Sequence, residues 1–243
     1  MGETLRRLAA KVLVAKYQGE AAAELAPLQV SVGQPGATEA IIYKVREWAR
    51  SAPAGHALLT IDFSNAYNTL NRTAMLSAIA ARCPRFLPYA EFCYGSSTPL
   101  LTGDEVIQSC AGTQQGDACG PLFFSVTAHR AATAANVPGL SWAHWFLDDG
   151  ALSGPVGAVA EALQALEPVA SSVGLRLNRA KCKLWGPTGG LGALGDDCPP
   201  SLADIPWASW TAGIRVLGTP VGRASYRVLT EISAKIEQKL ERL

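Results

Sequence analysis

Trp145-Phe146-Leu147-Asp148-Asp149-Gly150 is the stretch on which the reading of this chain turns. An aromatic, apolar run ends in two adjacent carboxylates and a glycine. Like charges set side by side repel each other unless a cation or a proton lies between them. The pair is therefore a candidate metal ligand, while Asp-Gly after an apolar run is equally a hairpin turn. A third carboxylate, Asp62, closes another apolar run of strand length over residues 56 to 63.

Composition bounds what surrounds these residues. With 243 residues, 49% hydrophobic and 17% charged, the chain has the makeup of a globular protein of one large domain or two small ones. No apolar stretch approaches the roughly 18 uninterrupted residues of a membrane span, and residues 1 to 7 lack a signal-peptide pattern. The six cysteines are irregularly spaced, with no Cys-x-x-Cys pair, and read as reduced structural thiols. These features point to an intracellular protein with no membrane partner, and do not separate nucleus from cytoplasm. A net charge of +1 is weak for a protein that holds nucleic acid by counterion release, so any such function rests on local basic patches.

Periodicity supplies the order of elements. Helical spacing runs over residues 5 to 26, with Arg6, Arg7, Lys11 and Lys16 among the apolar positions. A loop over 31 to 38 leads to a helix over 38 to 49, for which Thr38 is the predicted cap. After the strand with Asp62 comes a helix over 73 to 82, capped by Asn71 and ended by Pro84. Residues 95 to 103 read as a turn between two weak strands. A glycine-rich loop over 112 to 121 opens a helix over 122 to 135, with Pro121 in its permissive first turn. Two strands hinged at Asp148-Asp149 follow, then a helix over 156 to 173, a strand over 181 to 185, a loop over 186 to 206, a short hairpin over 213 to 222 and an amphipathic helix over 226 to 243.

With the middle insertion set aside, this order is a split β-α-β arrangement: an antiparallel sheet with two helices on one face, an α+β fold. In it the first strand and the hairpin turn are neighbours, so Asp62 and Asp148-Asp149 converge. Three carboxylates at one sheet end suit two divalent cations about 3.5 to 4 Å apart, the arrangement that clamps entering and leaving oxygens in phosphoryl transfer.

Five ordered blocks sharpen this. Asp62-Phe63-Ser64-Asn65-Ala66-Tyr67-Asn68-Thr69-Leu70-Asn71-Arg72 resembles the first catalytic block of reverse transcriptases, most similar to those of non-LTR retrotransposons. Gln115-Gly116 with Gly120-Pro121 resembles their Gln-Gly loop, and Phe146-Leu147-Asp148-Asp149 their aromatic-x-Asp-Asp signature. Gly174-Leu175-Arg176-Leu177-Asn178, continuing to Lys181, resembles the next block, and Val216-Leu217-Gly218-Thr219-Pro220 the primer grip. The resemblance implies a polymerase palm with a split β-α-β (ferredoxin-like) sheet and a mostly helical fingers portion. Its divisions are partial fingers over 1 to 55, palm over 56 to 185 with a fingers-type insertion around 85 to 115, a linker over 186 to 212, and a primer-grip hairpin with the start of a thumb-like helix over 213 to 243.

The implied roles follow block by block. Asp62 and Asp148 hold two Mg²⁺ ions (Mn²⁺ as a substitute), with Asp149 as ligand or electrostatic support and the Phe63 carbonyl as an extra ligand. Tyr67 gates against a ribose 2′-hydroxyl, and Gln115 and Gly116 line the incoming nucleotide. Lys181 neutralises the leaving pyrophosphate, with Lys183 as the alternative, and Leu217 and Gly218 position the primer end. The partners implied are an RNA template, a DNA primer and dNTP. Residues 29 to 36 lack the arginine that grips the triphosphate in the family, which leaves Arg6, Arg7 or Lys11 as substitutes. The span matched is expected of a fragment of a retrotransposon polyprotein. Two alternatives stand beside this reading. One is an RNA-templated RNA polymerase, whose members carry Gly-Asp-Asp where this chain has Leu147-Asp148-Asp149. The other is a catalytically inactive nucleic-acid-binding remnant.

Overall fold

The computed structural model describes residues 4–103, 105–114, 116–187, 199–222 and 238. Gln115, Cys198 and, apart from residue 238, the helix expected over 226 to 243 lie outside the described residues.

Two helices come first, α1 (Thr4–Leu25) and α2 (Ala37–Ser51). Thr38 does not cap α2. Gly36 takes the N-cap position in a left-handed conformation (φ 73°), which starts the helix one residue earlier and draws Thr38 into its first turn. Strand β1 (His56–Ile61) precedes the short α3 (Ala66–Thr69) and α4 (Arg72–Arg82). The Asn71 cap is present, its side-chain oxygen accepting the Ala74 N–H at 2.9 Å.

After α5 (Leu87–Tyr94), the stretch expected to be a turn is largely strand: β2 (Thr98–Thr102) pairs with β3 (Glu105–Ser109) across a turn that begins at Gly103. Leu100 faces Ile107 and Leu101 faces Val106, so apolar cross-strand pairs extend the ribbon through residues that a turn assignment leaves unpaired. Helix α6 (Gly120–Ala134) then leads to β4 (Trp142–Phe146), β5 (Asp149–Pro155) and α7 (Val156–Ser172). The chain continues through β6 (Lys183–Trp185), β7 (Trp207–Ala208) and the hairpin β8 (Ile214–Val216) and β9 (Thr219–Val221). Lys181 belongs to the turn before β6, not to the strand expected to begin there.

The main sheet has the order β4-β5-β1-β6-β7. Its first three pairings are antiparallel, as the split β-α-β pattern requires, but β7 joins β6 in parallel. The sheet is therefore mixed, because the stretch between β6 and β7 is long enough to return the chain in the same direction. Strand β1 is buried on both faces. Ala57, Leu59 and Ile61 join a core with α4, α6 and α7, while Leu58 points into a second core with Ile41, Ile42 and Val45 of α2 and Ile214, Val216 and Val221 of the last hairpin. A continuous apolar run, in place of clean alternation, is what a strand covered on both sides needs. Its apolar length ends at Asp62, where the polypeptide emerges at the sheet end.

Candidate active site

Register brings the carboxylates together. Ile61 lies opposite Gly150 in the β1–β5 pairing, so Asp62 and Asp149 are the next residues out on adjacent strands. Phe146 faces Asp149 across β4–β5, which leaves Leu147-Asp148 as a two-residue turn with Leu147 left-handed (φ 58°). Gly150 is demanded by packing: a Cβ there would lie 2.5 Å from the Trp145 ring. That ring stacks in turn on Phe63 at 6.3 Å. On the other side of Asp62, its carbonyl accepts the Asn178 N–H at 2.8 Å, and Ser64 N–H donates to the Arg176 carbonyl at 2.8 Å. The block 174 to 178 thus braces Asp62 just as β5 delivers Asp149.

Crowding shows in the titration of the hairpin pair. Burial pushes Asp148 above the usual carboxylate range; its own backbone N–H opposes this, and the Asp62 charge adds to it. Asp149 is pushed up to about 6 by burial, then by Asp148 and Asp62. Hard carboxylate oxygens under mutual repulsion are a donor set that suits a divalent cation in kind. Among the described residues, however, no three His, Cys, Asp or Glu side chains gather into a cluster that could hold a metal ion as they stand.

Two cavities flank the carboxylates. One of about 390 Å³ is walled by Asp62 and Asp149 together with Lys181, Lys183, Leu217 and Gly218. The other, of about 710 Å³, is walled by Asp148 with Lys11, Phe63, Tyr67, Gln114 and Gly116. Tyr67 stacks on Phe124 at 4.6 Å, which fixes its ring. Burial first, then the charges of Asp148 and Asp149, hold its hydroxyl in the neutral form. The turn Leu217-Gly218 has both residues left-handed (φ 49° and 75°), the geometry of a tight type I′ hairpin.

The expected residues therefore divide. Asp62, Asp149, Lys181, Lys183, Leu217 and Gly218 share one cavity, and Phe63, Tyr67, Gly116, Lys11 and Asp148 the other. Arg6 lines neither cavity but lies behind the wall of the larger one, paired with its buried Asp117 at 3.5 Å and lying over the Tyr94 ring at 5.3 Å. Tyr94 donates its hydroxyl proton to Asp117 at 2.5 Å, and its ring also meets the guanidinium of Arg72 at 5.3 Å. Arg72 donates in turn to the carbonyls of Gly112 (3.0 Å) and Ser109 (2.6 Å), so this network anchors the glycine-rich loop.

Sequence reasoning missed two groups at the carboxylates. His144 adds an imidazole and Arg215 a guanidinium cation to the wall that carries Lys181. Burial, followed by Lys44, lowers the His144 pKa; Lys44 Nζ lies 2.8 Å from its Nε2. The alternation of β4, with Trp142, His144 and Phe146 on one face, was the available signal for His144; Arg215, next to the predicted primer grip, had none.

No protein-family description matches the sequence, and no curated protein does. Solved structures do. Apo telomerase from Candida tropicalis superposes with a TM-score of 0.53 at 8% identity, over 77% of this chain and 37% of that one. Candida tropicalis telomerase in complex with the TWJ fragment of telomeric RNA gives 0.50 at 12% identity, over 77% and 34%. An insertion-loop deletion mutant of the RNA-dependent RNA polymerase of a human picorbirnavirus gives 0.50 at 18% identity, over 74% and 35%. The chain spans about a third of the length of each. At these identities the likeness is one of fold: helices packed on a mixed, mainly antiparallel sheet, an arrangement shared with these polymerase structures.

Proposed function

We propose that this chain is the palm and part of the fingers of an RNA-directed DNA polymerase of the non-LTR retrotransposon type. The observation that carries the reading is the placing of Asp62, Asp148 and Asp149 on the partition between two cavities, with Tyr67 in one and the Leu217-Gly218 turn in the other. A reaction that joins two substrates end to end needs that layout. The primer enters along Leu217-Gly218 and the dNTP occupies the cavity of Lys11 and Tyr67. The primer 3′-hydroxyl loses its proton to water as its oxygen bonds to the α-phosphorus, the bond from that phosphorus to the α–β bridging oxygen breaks, and pyrophosphate leaves.

Asp62 and Asp148, supported by Asp149, would hold two Mg²⁺ ions, which activate the attacking oxygen and offset charge on the leaving one when bound. The chain's own residues do the positioning that dominates such reactions. Lys11 is the one cationic side chain lining the nucleotide cavity among the described residues, and it takes the triphosphate role left open by the missing arginine. Lys181 lies on the primer side, which favours Lys11 over Lys181 for neutralising pyrophosphate. Tyr67, held by Phe124, supports selection of deoxynucleotides by bulk.

The test is primer extension on an RNA template with Mg²⁺, using dNTP or NTP. The expected result is dNTP incorporation that falls on the order of 10³-fold in Asp148→Asn, with ribonucleotide use gained in Tyr67→Ala. Preference of the wild type for NTP would replace this reading with an RNA-templated RNA polymerase. Extension undiminished in Asp148→Asn would overturn it altogether.

A further inference from the structure

We infer that Gln29 is a positioning residue for Asp148, acting through the backbone of Leu147. This rests on the reading of Asp148 as a metal-binding carboxylate. Gln29 is 1% exposed, in the segment that links α1 to α2. Its side-chain Nε2 donates to the Leu147 carbonyl at 2.9 Å, and its Oε1 accepts the Leu147 N–H at 3.0 Å. On either side the backbone completes the contact: Trp145 N–H donates to the Leu28 carbonyl at 2.8 Å, and Val30 N–H to the Trp145 carbonyl at 2.9 Å. Residues 28 to 30 therefore run parallel to β4 along its outer edge, and the Gln29 amide continues that ladder past the point where the backbone turns away.

Leu147 needs such a clamp. It is a non-glycine residue in the left-handed region, and it immediately precedes Asp148. Both of its backbone polar groups are satisfied by one planar amide that donates and accepts at the same reach. A carboxylate lacks the donor, a thioether offers only a weak acceptor, and Asn is one methylene short. Because α1 also carries Lys11, one helix bears on the nucleotide cavity through Lys11 and, through the segment that follows it, on the turn that aims Asp148.

The test compares wild type, Gln29→Met, which keeps the volume and loses the amide, and Ile79→Val, a fully buried change in α4 that serves as a stability control. Mn²⁺ affinity is measured by electron paramagnetic resonance, and primer extension is resolved into kcat and KM for dNTP. Expected for Gln29→Met are Mn²⁺ binding weakened about 10-fold and kcat lowered about 10- to 100-fold, the scale of a 1 Å misplacement, with KM within about 2-fold. Ile79→Val should match wild type in both. If wild type binds Mn²⁺ and extends primers while Gln29→Met behaves like Ile79→Val, the inference falls alone. If wild type does neither, the metal reading falls and takes the inference with it.

Discussion

Replacing Gly112 with Ala tests how the glycine-rich loop is seated. Gly112 has φ 70°, and a Cβ there would lie 2.4 Å from the Tyr67 carbonyl oxygen and 2.6 Å from Asn68 Cα. Both are backbone atoms of the segment that holds the proposed gate, so neither yields by a rotamer change. Restoring ordinary contact at about 3.5 Å moves the loop by roughly 1 Å. That displacement breaks the bonds from Gly112 N–H to the Leu70 carbonyl (2.8 Å) and from Thr113 N–H to the Tyr67 carbonyl (2.9 Å). Left-handed strain of about 1 kcal/mol and two hydrogen bonds at about 1 kcal/mol each make a loss of about 3 kcal/mol. At about 2 to 4 °C per kcal/mol for a chain of this size, Tm falls by about 6 to 12 °C. Gly103→Ala is the internal reference: φ is 59° but nothing lies within 4 Å of its Cβ, so strain alone remains and Tm falls by about 2 to 4 °C. Melts of both variants by circular dichroism decide the matter. Equal Tm values for the two would refute the close backbone approach on which the reasoning stands.

Arg72→Met should cost about 3 kcal/mol, read as a lowered urea midpoint, because it strips donors from the Gly112 and Ser109 carbonyls and the Ser109 hydroxyl. Arg72→Lys should recover only part of it, since an ammonium cannot span three acceptors in the guanidinium's plane; full recovery would show that charge alone matters. Metal linkage gives the remaining prediction. Because folding raises the pKa of Asp148 and Asp149, the folded state holds more protons, and stability is lost as pH rises from the unfolded value near 4 through about 6. A divalent cation replaces those protons. Mn²⁺ at a fixed concentration, ten times the Kd measured at pH 7.5, should raise Tm by about 3 to 6 °C at pH 7.5 and far less at pH 4.5, where protonation weakens binding; an equal shift at both pH values would place binding away from these carboxylates.

What could be read from the sequence divides along a physical line. Strand β1, the hairpin at Asp148-Asp149 and the cap at Asn71 announce themselves because each is local: an apolar run bounded by turn residues, or a side chain bonding three residues away. The placing of Asp62 beside Asp149 followed from strand order, since neighbouring antiparallel strands deliver their ends to one place. The parallel β7 escaped because two residues, Trp207 and Ala208, carry too little periodicity to register as a strand. The polar supports of the site escaped for a different reason. Gln29 reaches Leu147 across 118 positions, and Arg72 reaches Ser109 across 37; nothing in the local pattern of either marks a buried polar residue whose partner is a distant backbone group. Arg72 closes a recognisable block, yet its work is to hold the loop opposite that block. Arg6 shows the converse: its charge suggested a phosphate ligand, while Asp117, the partner that claims it, lies far along the chain. The carboxylates proposed to hold metal lie at a sheet end and so sit where local signals stop. The groups that hold them in place are buried, and burial is decided by the whole fold.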